Sequence, residues 1–269
     1  MFDEPFSEAW RQRFESSPPD LNSDLKRFLN HRSVRKFRPD PIPEPLITGL
    51  LAAGQSASTS SNLQLYSFVS VQEPHRREAL AKLCANQSQV RDAAWFFAGC
   101  VDHYRLREAA KWAGQDPAGL DFTEFFVMGL IDLALAAERM VCAAESLGLG
   151  VCYIGALRND PDGVSELLEL PEGVFGAFGL CLGWPEEPLE AAIKPRLGSD
   201  SIHHRETYRK EADVAEYDRR MAAFYEPQGM KGDVTWSMRS GRRVDGSERS
   251  LTGRGVLKGW LEARGFGRR

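Results

Sequence analysis

Three basic side chains and a hydroxyl fall within one short segment, HRSVR, at residues 31–35. In extended backbone, successive side chains point to opposite faces, so His31, Ser33 and Arg35 would share one face. An imidazole, a hydroxyl and a planar guanidinium together suit a phosphate or another planar anion. A solvated basic turn has the same composition, and the segment alone does not distinguish the two interpretations.

Two later segments also carry residue types that suit an anionic, flat ligand. In KPR, Lys194 and Arg196 flank a proline that favours extended backbone, which fits a second cationic contact or an ordinary surface loop. In SLGLGVCYIGALR, residues 146–158, a helix ends at glycines and leads into a short strand that ends at Gly155. A glycine there lets backbone N–H groups approach a flat ligand, although a plain helix-to-strand turn has the same pattern.

The spacing of apolar residues predicts the elements that position these segments. Helices are expected at 44–54, at 122–147, over GVSELLEL, around Tyr217 and around Trp260, with a short one capped by Ser23 before HRSVR. Strands are expected at LYSFVSV, at 93–101, at VCYIG and at FGAFGLCLGW. The uneven separation of the strands and the dominance of the 122–147 helix argue against a doubly wound sheet.

Composition and charge narrow the function classes. The 269 residues are 42% hydrophobic, enough for a large core, and a net charge of −4 argues against nucleic acid or anionic membrane as partner. The five cysteines form no CxxC pair, which favours buried thiols over a disulfide framework or a zinc site. The start MFDEPFSEAW lacks the pattern of a signal peptide, and the most apolar window contains Asp132, so a soluble cytoplasmic protein is expected.

Six segments, in order, resemble those of one enzyme family: HRSVRKF, STSSNLQ, NQSQV, ESLGLGVCYIGALRN, FGLCLGWP and KPRL. They are similar to the oxygen-insensitive, NADPH-dependent nitroreductases, in particular the major nitroreductase and flavin reductase P branch. The similarity covers residues 22–225 and continues loosely to the C-terminus. It implies an α+β fold with a mostly antiparallel central sheet flanked by helices, a long buried central helix, and an intertwined homodimer with one FMN at each end of its interface.

The resemblance also implies a domain organisation and a set of cofactor contacts. Residues 1–20 lie outside it as an N-terminal arm, and 21–269 form one domain whose residues 200–269 wrap the partner subunit and cover the active site. The implied FMN contacts are His31, Arg32, Ser33, Arg35, Thr59, Ser60, Gln87, Tyr153, Ile154, Gly155, Ala156, Lys194 and Arg196. HRSVR and KPR would hold the phosphate, while Arg35 would stabilise the negative charge that gathers at N1 and O2 of the reduced ring.

The function that the resemblance implies is an NAD(P)H-dependent FMN oxidoreductase that reduces nitroaromatics, quinones or related flat small molecules. The expected mechanism is ping-pong, with two electrons passing as a hydride through flavin N5, and it requires no metal and no side chain as nucleophile or proton base. Two alternatives stay open: an NAD(P)H:flavin reductase that supplies free reduced flavin, and a flavin-binding redox sensor without turnover.

Departures from the family pattern fall where substrate and nucleotide are expected. The residues that the resemblance places in contact with substrate or NADPH are Ser61, Asn62, Arg158, Lys231 and Arg254. Asn62 replaces an aromatic residue after the serine-rich loop, and Ala156 replaces the second glycine after YIG, which would narrow the pocket. The tail segment QGMKGDVTW keeps only Lys231 where the family offers consecutive arginines to the NADPH 2′-phosphate, so the preference for NADPH over NADH is left open.

Overall fold

The computed structural model describes residues 5–19, 25–189, 191–210, 213–230, 232 and 234–269. The chain divides into two compact units, and the division falls inside HRSVR. The first unit comprises Met1–Arg32 and Ala192–Thr252, and the second comprises Ser33–Ala191 and Gly253–Arg269. The single domain over 21–269 with its extension from residue 200 stays a prediction.

The helices of the described residues have the following bounds. They are α1 (Phe6–Phe14), α2 (Lys26–Leu29), α3 (Glu44–Gln55), α4 (Pro74–Leu83), α5 (Ser88–Asp92), α6 (Tyr104–Trp112), α7 (Thr123–Ser146), α8 (Pro161–Leu168), α9 (Ser199–Ile202), α10 (Ala215–Tyr225), α11 (Trp236–Arg243), α12 (Glu248–Leu251) and α13 (Leu257–Ala263). The predicted cap Ser23 lies outside the described residues, and α2 begins at Lys26.

A four-stranded sheet forms the centre of the second unit. Its strands are β1 (Tyr66–Ser70), β2 (Trp95–Asp102), β3 (Gly150–Ile154) and β4 (Val174–Gly183). They lie in the order β1-β2-β4-β3, and all three neighbouring pairs are antiparallel. The prediction of an α+β fold with a mostly antiparallel sheet is therefore confirmed.

Helix α7 packs closely on the sheet and on α3 because glycines stand at the contacts. A Cβ at Gly129 would come within 2.6 Å of Val101 in β2, and a Cβ at Gly54 of α3 within 2.7 Å of the Met140 side chain. The opposite side of α7 is also apolar, as predicted, but in the single chain it is exposed. On this side Val127, Ile131 and Leu135 are 43%, 51% and 45% exposed to solvent.

The last residues of the chain belong to the core of the second unit. Phe266 is 1% exposed and packs against the rings of His103, Phe126 and Phe175. The Thr123 N–H donates to the carbonyl of Arg269 at 3.1 Å. The end of the predicted extension therefore packs within its own chain.

The first unit is built around α10 and the N-terminal helix. Tyr217, Met221 and Tyr225 of α10 are buried together. Helix α1, predicted to lie in a peripheral arm, buries Ala9 and Arg13 within the unit. Among the described residues no helix is long and apolar enough to cross a membrane.

Candidate functional site

The second half of HRSVR is extended and lies beside β3. Ser33 forms a parallel bridge with Val151, and the Val34 N–H donates to the Val151 carbonyl at 2.9 Å. Val34 is 2% exposed, whereas Ser33 and Arg35 are exposed. The predicted alternation is thus present for Ser33 and Arg35, because the pairing with β3 turns both to the same exposed side, while the shared face with His31 stays a prediction.

Arg35 supplies a positive charge next to β3. Burial raises the pKa of the Cys152 thiol on that strand, and the charge of Arg35 partly offsets the rise. Cys152 is 3% exposed and is a neutral thiol inside the sheet. The guanidinium is therefore close enough to act electrostatically on the strand that leads to Gly155.

β3 ends in a half-exposed tyrosine and a tight turn. The Tyr153 ring lies edge-on to Phe178 with centroids 5.2 Å apart, and its hydroxyl donates to Glu138 Oε2 at 3.3 Å. Burial, followed by the Glu138 carboxylate, raises the pKa of Tyr153, so the phenol is neutral at physiological pH. A 3₁₀ turn at Gly155–Arg158 follows, in which Ala156 is 8% exposed and adds little accessible surface.

Two arginines flank Gly155. A Cβ built on Gly155 would lie 3.5 Å from Arg158 Nη2 and 4.0 Å from Arg254 Nη2. Arg158 donates to the Ala177 carbonyl, and Arg254 Nε donates to Asn159 Oδ1 at 2.9 Å. The last segment of the second unit thus brings Arg254 beside the turn at Gly155. Lys231, also expected to contact the nucleotide, lies outside the described residues.

The serine-rich loop is held by a buried carboxylate on α7. Asp132 is 0% exposed, and its two oxygens accept the N–H groups of Ser60 at 2.8 Å and Leu65 at 3.3 Å. Between these anchors Ser61 and Asn62 have positive φ of 50° and 56° and are exposed with Ser60. Sequence reasoning noted Asp132 only as a charge in an apolar window, although an acid in a buried helix requires hydrogen-bond partners.

Gln87 lies at the start of α5 with its amide partly used. Nε2 donates to the Cys84 carbonyl at 3.0 Å, and Oε1 accepts from Gln89 Nε2 at 2.6 Å. An amide offers two donors and two lone pairs, so these bonds leave one of each for a ligand.

The first unit brings together cations from two distant segments. The Arg13 guanidinium donates to the carbonyls of His31 at 2.8 Å and Lys194 at 3.3 Å. The Arg196 N–H donates to the Arg13 carbonyl at 3.0 Å. His31, Lys194 and Arg196, all expected at one phosphate, therefore surround a residue that sequence reasoning placed in the arm.

The side chains around this group have distinct environments. The Lys194 ammonium lies 6.0 Å from the Phe224 centroid and 5.8 Å from the Tyr225 centroid, within range of cation–π attraction. Arg32, also expected at the cofactor, is buried and donates to the carbonyl and side-chain oxygens of Asn30 at 3.1 and 3.3 Å. Within the described ranges, no cluster of His, Cys, Asp and Glu side chains has the makings of a metal site.

Comparison with known proteins assigns nearly all of the chain to one family. Residues 29–184 match the model of the nitroreductase family, and residues 194–269 match the model of its C-terminal domain. An FMN reductase (NADPH) of Bacillus subtilis is 38% identical over 224 residues, which are 81% of this chain and 89% of that protein.

Solved structures agree with this assignment. The NfrA1 nitroreductase of B. subtilis superposes with a TM-score of 0.84 at 35% identity, covering 91% of this chain and 99% of that one. An NADPH:FMN oxidoreductase of Vibrio harveyi, solved in complex with NAD+, gives a TM-score of 0.81 at 35% identity and covers 92% and 100%.

Proposed function

The chain belongs to the nitroreductase family, and on that premise we propose that this flavin oxidoreductase transfers electron pairs from NADPH or NADH to flat acceptors such as nitroaromatics and quinones. The observation that carries the proposal is the pairing of Ser33 with Val151, which sets Ser33 and Arg35 on one exposed face beside the strand that leads to Gly155. The names of the relatives, an FMN reductase (NADPH) and an NADPH:FMN oxidoreductase, support FMN and a nicotinamide nucleotide as the cofactors.

The residues present have the chemistry that FMN requires. Its phosphate is a dianion, and the cationic side chains whose backbones bond Arg13 would supply charge-assisted donors for it. We assign the phosphate to His31, Ser33, Lys194 and Arg196. The ring would lie along Tyr153–Ala156, where Gly155 carries no side chain, and Arg32, Thr59, Ser60 and Gln87 complete the proposed contacts.

Bound FMN would supply the two-electron chemistry, taking a hydride from the nicotinamide and passing it to the acceptor. The protein's part is electrostatic and steric. Arg35 would favour the negative charge that develops on the reduced ring, and the neutral Tyr153 phenol, held by Glu138, adds no competing charge. No side chain is assigned as a nucleophile or a proton base.

Nucleotide recognition is assigned to the arginines beside Gly155. Arg158 and Arg254 bring two guanidinium groups to one turn, and guanidinium geometry suits a nucleotide phosphate. The exposed loop residues Ser61 and Asn62 would contact the acceptor, and Lys231 would add a charge from the tail. We expect Arg254→Ala to lower the NADPH-to-NADH ratio of kcat/KM about 10-fold or more, the worth of one charge-assisted hydrogen bond.

The first experiment is an anaerobic absorbance titration of the purified FMN-loaded protein with NADPH and NADH in parallel. Bleaching of the visible flavin band by NADPH supports the oxidoreductase, and the ratio of the two rates measures the nucleotide preference. Failure to bind FMN would refute the assignment. A yellow protein that neither nucleotide bleaches would be a flavin-binding sensor.

A second candidate, a flavin reductase that releases reduced flavin, is favoured by the names of the relatives. Steady-state turnover separates it from the first. Faster turnover of free FMN than of nitrofurazone or a quinone would select the flavin reductase, and the reverse ranking would select the nitro- and quinone reductase.

The exposed apolar side of α7 supports a homodimer. Val127, Ile131 and Leu135 repeat every four residues and form one stripe with 43% to 51% of their surface exposed. We expect light scattering to give the mass of two chains, and Ile131→Lys to shift it toward one. A dimer unaffected by Ile131→Lys would place the interface elsewhere, for example on the predicted wrapping extension.

A further inference from the structure

Arg13 is a buried arginine whose described bonds go to backbone carbonyls. It is 5% exposed, and its guanidinium donates to the carbonyls of Leu29 at 2.8 Å, His31 at 2.8 Å and Lys194 at 3.3 Å. Three acceptors around one planar fork fix the relative positions of two segments that are far apart in sequence. The side chain therefore acts as a brace between the end of α2, the start of HRSVR, and KPR.

The backbone of Arg13 extends this brace. Its carbonyl accepts the Arg196 N–H at 3.0 Å and Arg220 Nη1 at 2.8 Å, and Arg220 is itself 5% exposed on α10. KPR is thus held on both sides of its proline, through the Lys194 carbonyl and the Arg196 N–H. The Pro195 carbonyl between them accepts the Tyr217 hydroxyl at 3.1 Å.

The brace has an electrostatic consequence. His31, Lys194 and Arg196 are cationic or can become so, and bringing them together costs Coulomb energy when no anion is bound. Arg13 contacts the backbones of His31, Lys194 and Arg196 rather than their charged groups, and the Arg196 guanidinium itself donates to the carbonyls of Lys194 at 3.3 Å and Pro195 at 3.4 Å. A preorganised set of donors binds an anion more tightly than one that must be assembled on binding.

We propose that Arg13 is a positioning residue for phosphate recognition, which assembles His31, Lys194 and Arg196 into one FMN-phosphate group. The inference rests on the proposed function. Residue 13 precedes both matched family regions, 29–184 and 194–269, so the brace is contributed by the N-terminal segment that precedes the family domain.

The test compares two flavins that differ only in the phosphate. The apo form of the full-length protein is titrated with FMN and with riboflavin, using flavin fluorescence, for the unaltered chain and for Arg13→Gln, Arg13→Lys and Arg11→Gln. Arg11 is the matched control, because it lies on the same helix, its side chain is 68% exposed and it pairs with Glu8.

We expect Arg13→Gln to displace the cations that it positions and so to cost the equivalent of one ionic hydrogen bond to the phosphate. FMN binding should weaken about 10- to 100-fold, and riboflavin binding should change less than about threefold. Arg13→Lys keeps the charge but not the fork, so its loss should be nearly as large. Arg11→Gln should leave both affinities unchanged. If Arg13→Gln does not fold, judged by circular dichroism, Arg13→Lys carries the comparison.

Two outcomes would overturn the inference. An equal loss of FMN and riboflavin affinity would make Arg13 a general structural residue, and no change in either affinity would show that the phosphate group does not depend on it. Both leave the proposed function intact as long as the unaltered chain binds FMN. Failure of the unaltered chain to bind FMN would refute the proposed function and this inference together.

Discussion

Replacing Asp132 by asparagine should release the serine-rich loop from α7. The carboxylate accepts the N–H groups of Ser60 at 2.8 Å and Leu65 at 3.3 Å, and the side chain is fully buried. An asparagine side chain at this position would keep one acceptor oxygen and present an amide N–H₂ to the other backbone donor. The variant therefore loses one charge-assisted bond outright, weakens the second, and leaves one buried N–H unpaired.

The magnitude follows from these two bonds. A hydrogen bond to a charged group contributes about 1.5–3 kcal/mol, and the longer contact counts at the low end, so we expect a loss of about 2–3 kcal/mol for Asp132→Asn. If the loop opens locally, the same loss speeds amide exchange at Ser60 and Leu65 by about 30- to 150-fold. If unfolding is global, Tm falls by about 4–12 °C for a chain of this size.

Hydrogen exchange followed by mass spectrometry distinguishes the two routes, with β2 (Trp95–Asp102) as the internal reference for the core. Glu124→Gln, an exposed change on the first turn of the same helix, controls for the lost charge and should move Tm by less than about 2 °C. Unchanged exchange at Ser60 and Leu65 together with an unchanged Tm would refute the idea that Asp132 anchors the loop.

Further predictions concern the core of the second unit. Phe266→Ala should lower the free energy of unfolding in urea by about 3–5 kcal/mol, because the ring is 1% exposed, and a loss below about 1 kcal/mol would contradict its packing. Burial holds the pKa of His103 below the ordinary value near 6.5, so the unfolded chain binds the proton more readily. Stability should therefore fall as pH drops below about 6.5, with urea midpoints less pH-dependent in His103→Phe; equal slopes would contradict this. The added methyl group of Gly179→Ala would overlap the Phe96 ring and should lower the free energy of unfolding by about 1–3 kcal/mol. The control is Gly49→Ala, which has nothing near its Cβ and should raise the stability of its helix by up to about 1 kcal/mol. If both variants changed thermal unfolding in the same way, the Phe96 contact would not be tight.

The parts of the fold that the sequence predicts well have strong apolar patterns. The strand expected at 93–101 is Trp95–Asp102, and the helix expected at 122–147 is Thr123–Ser146. Both elements lie at the centre of the second unit, so the apolar run and the helical spacing in their sequences correspond to buried residues in the structure. Helix α6 (Tyr104–Trp112) escaped prediction; none of its residues is buried, and apolar residues such as Trp112 are exposed.

In the site, too, local patterns predict some features and leave others unpredicted. Sequence alternation predicts that Ser33 and Arg35 share an exposed face, because a strand's period is local and requires no knowledge of partners. The grouping of His31 with Lys194 and Arg196 was predicted from the family resemblance, since no local pattern links segments so far apart in sequence. The residues that hold these segments were missed for the same reason.

Three residues have one property in common: each is a buried charge whose described bonds go largely to backbone groups in loops or short helices. Arg13 bonds carbonyls in two segments, Asp132 bonds two N–H groups, and Arg77 of α4 donates to the carbonyls of Val71, Val90 and Ala93 at 2.8, 3.1 and 2.9 Å.

Loop backbone cannot pair in a helix or a sheet, and its polar groups cost free energy when they are buried without partners. A buried guanidinium satisfies several carbonyls at once, and a buried carboxylate several N–H groups, so a single ion can fix a loop that would otherwise sample many conformations. Arg13 and Arg77 stand among other charged residues, so of the three only Asp132, a lone charge in an apolar run, carries a sequence signal for a loop anchor. That signal identifies the anchoring residue, while the identity of the loop depends on contacts between distant segments that only the folded chain reveals.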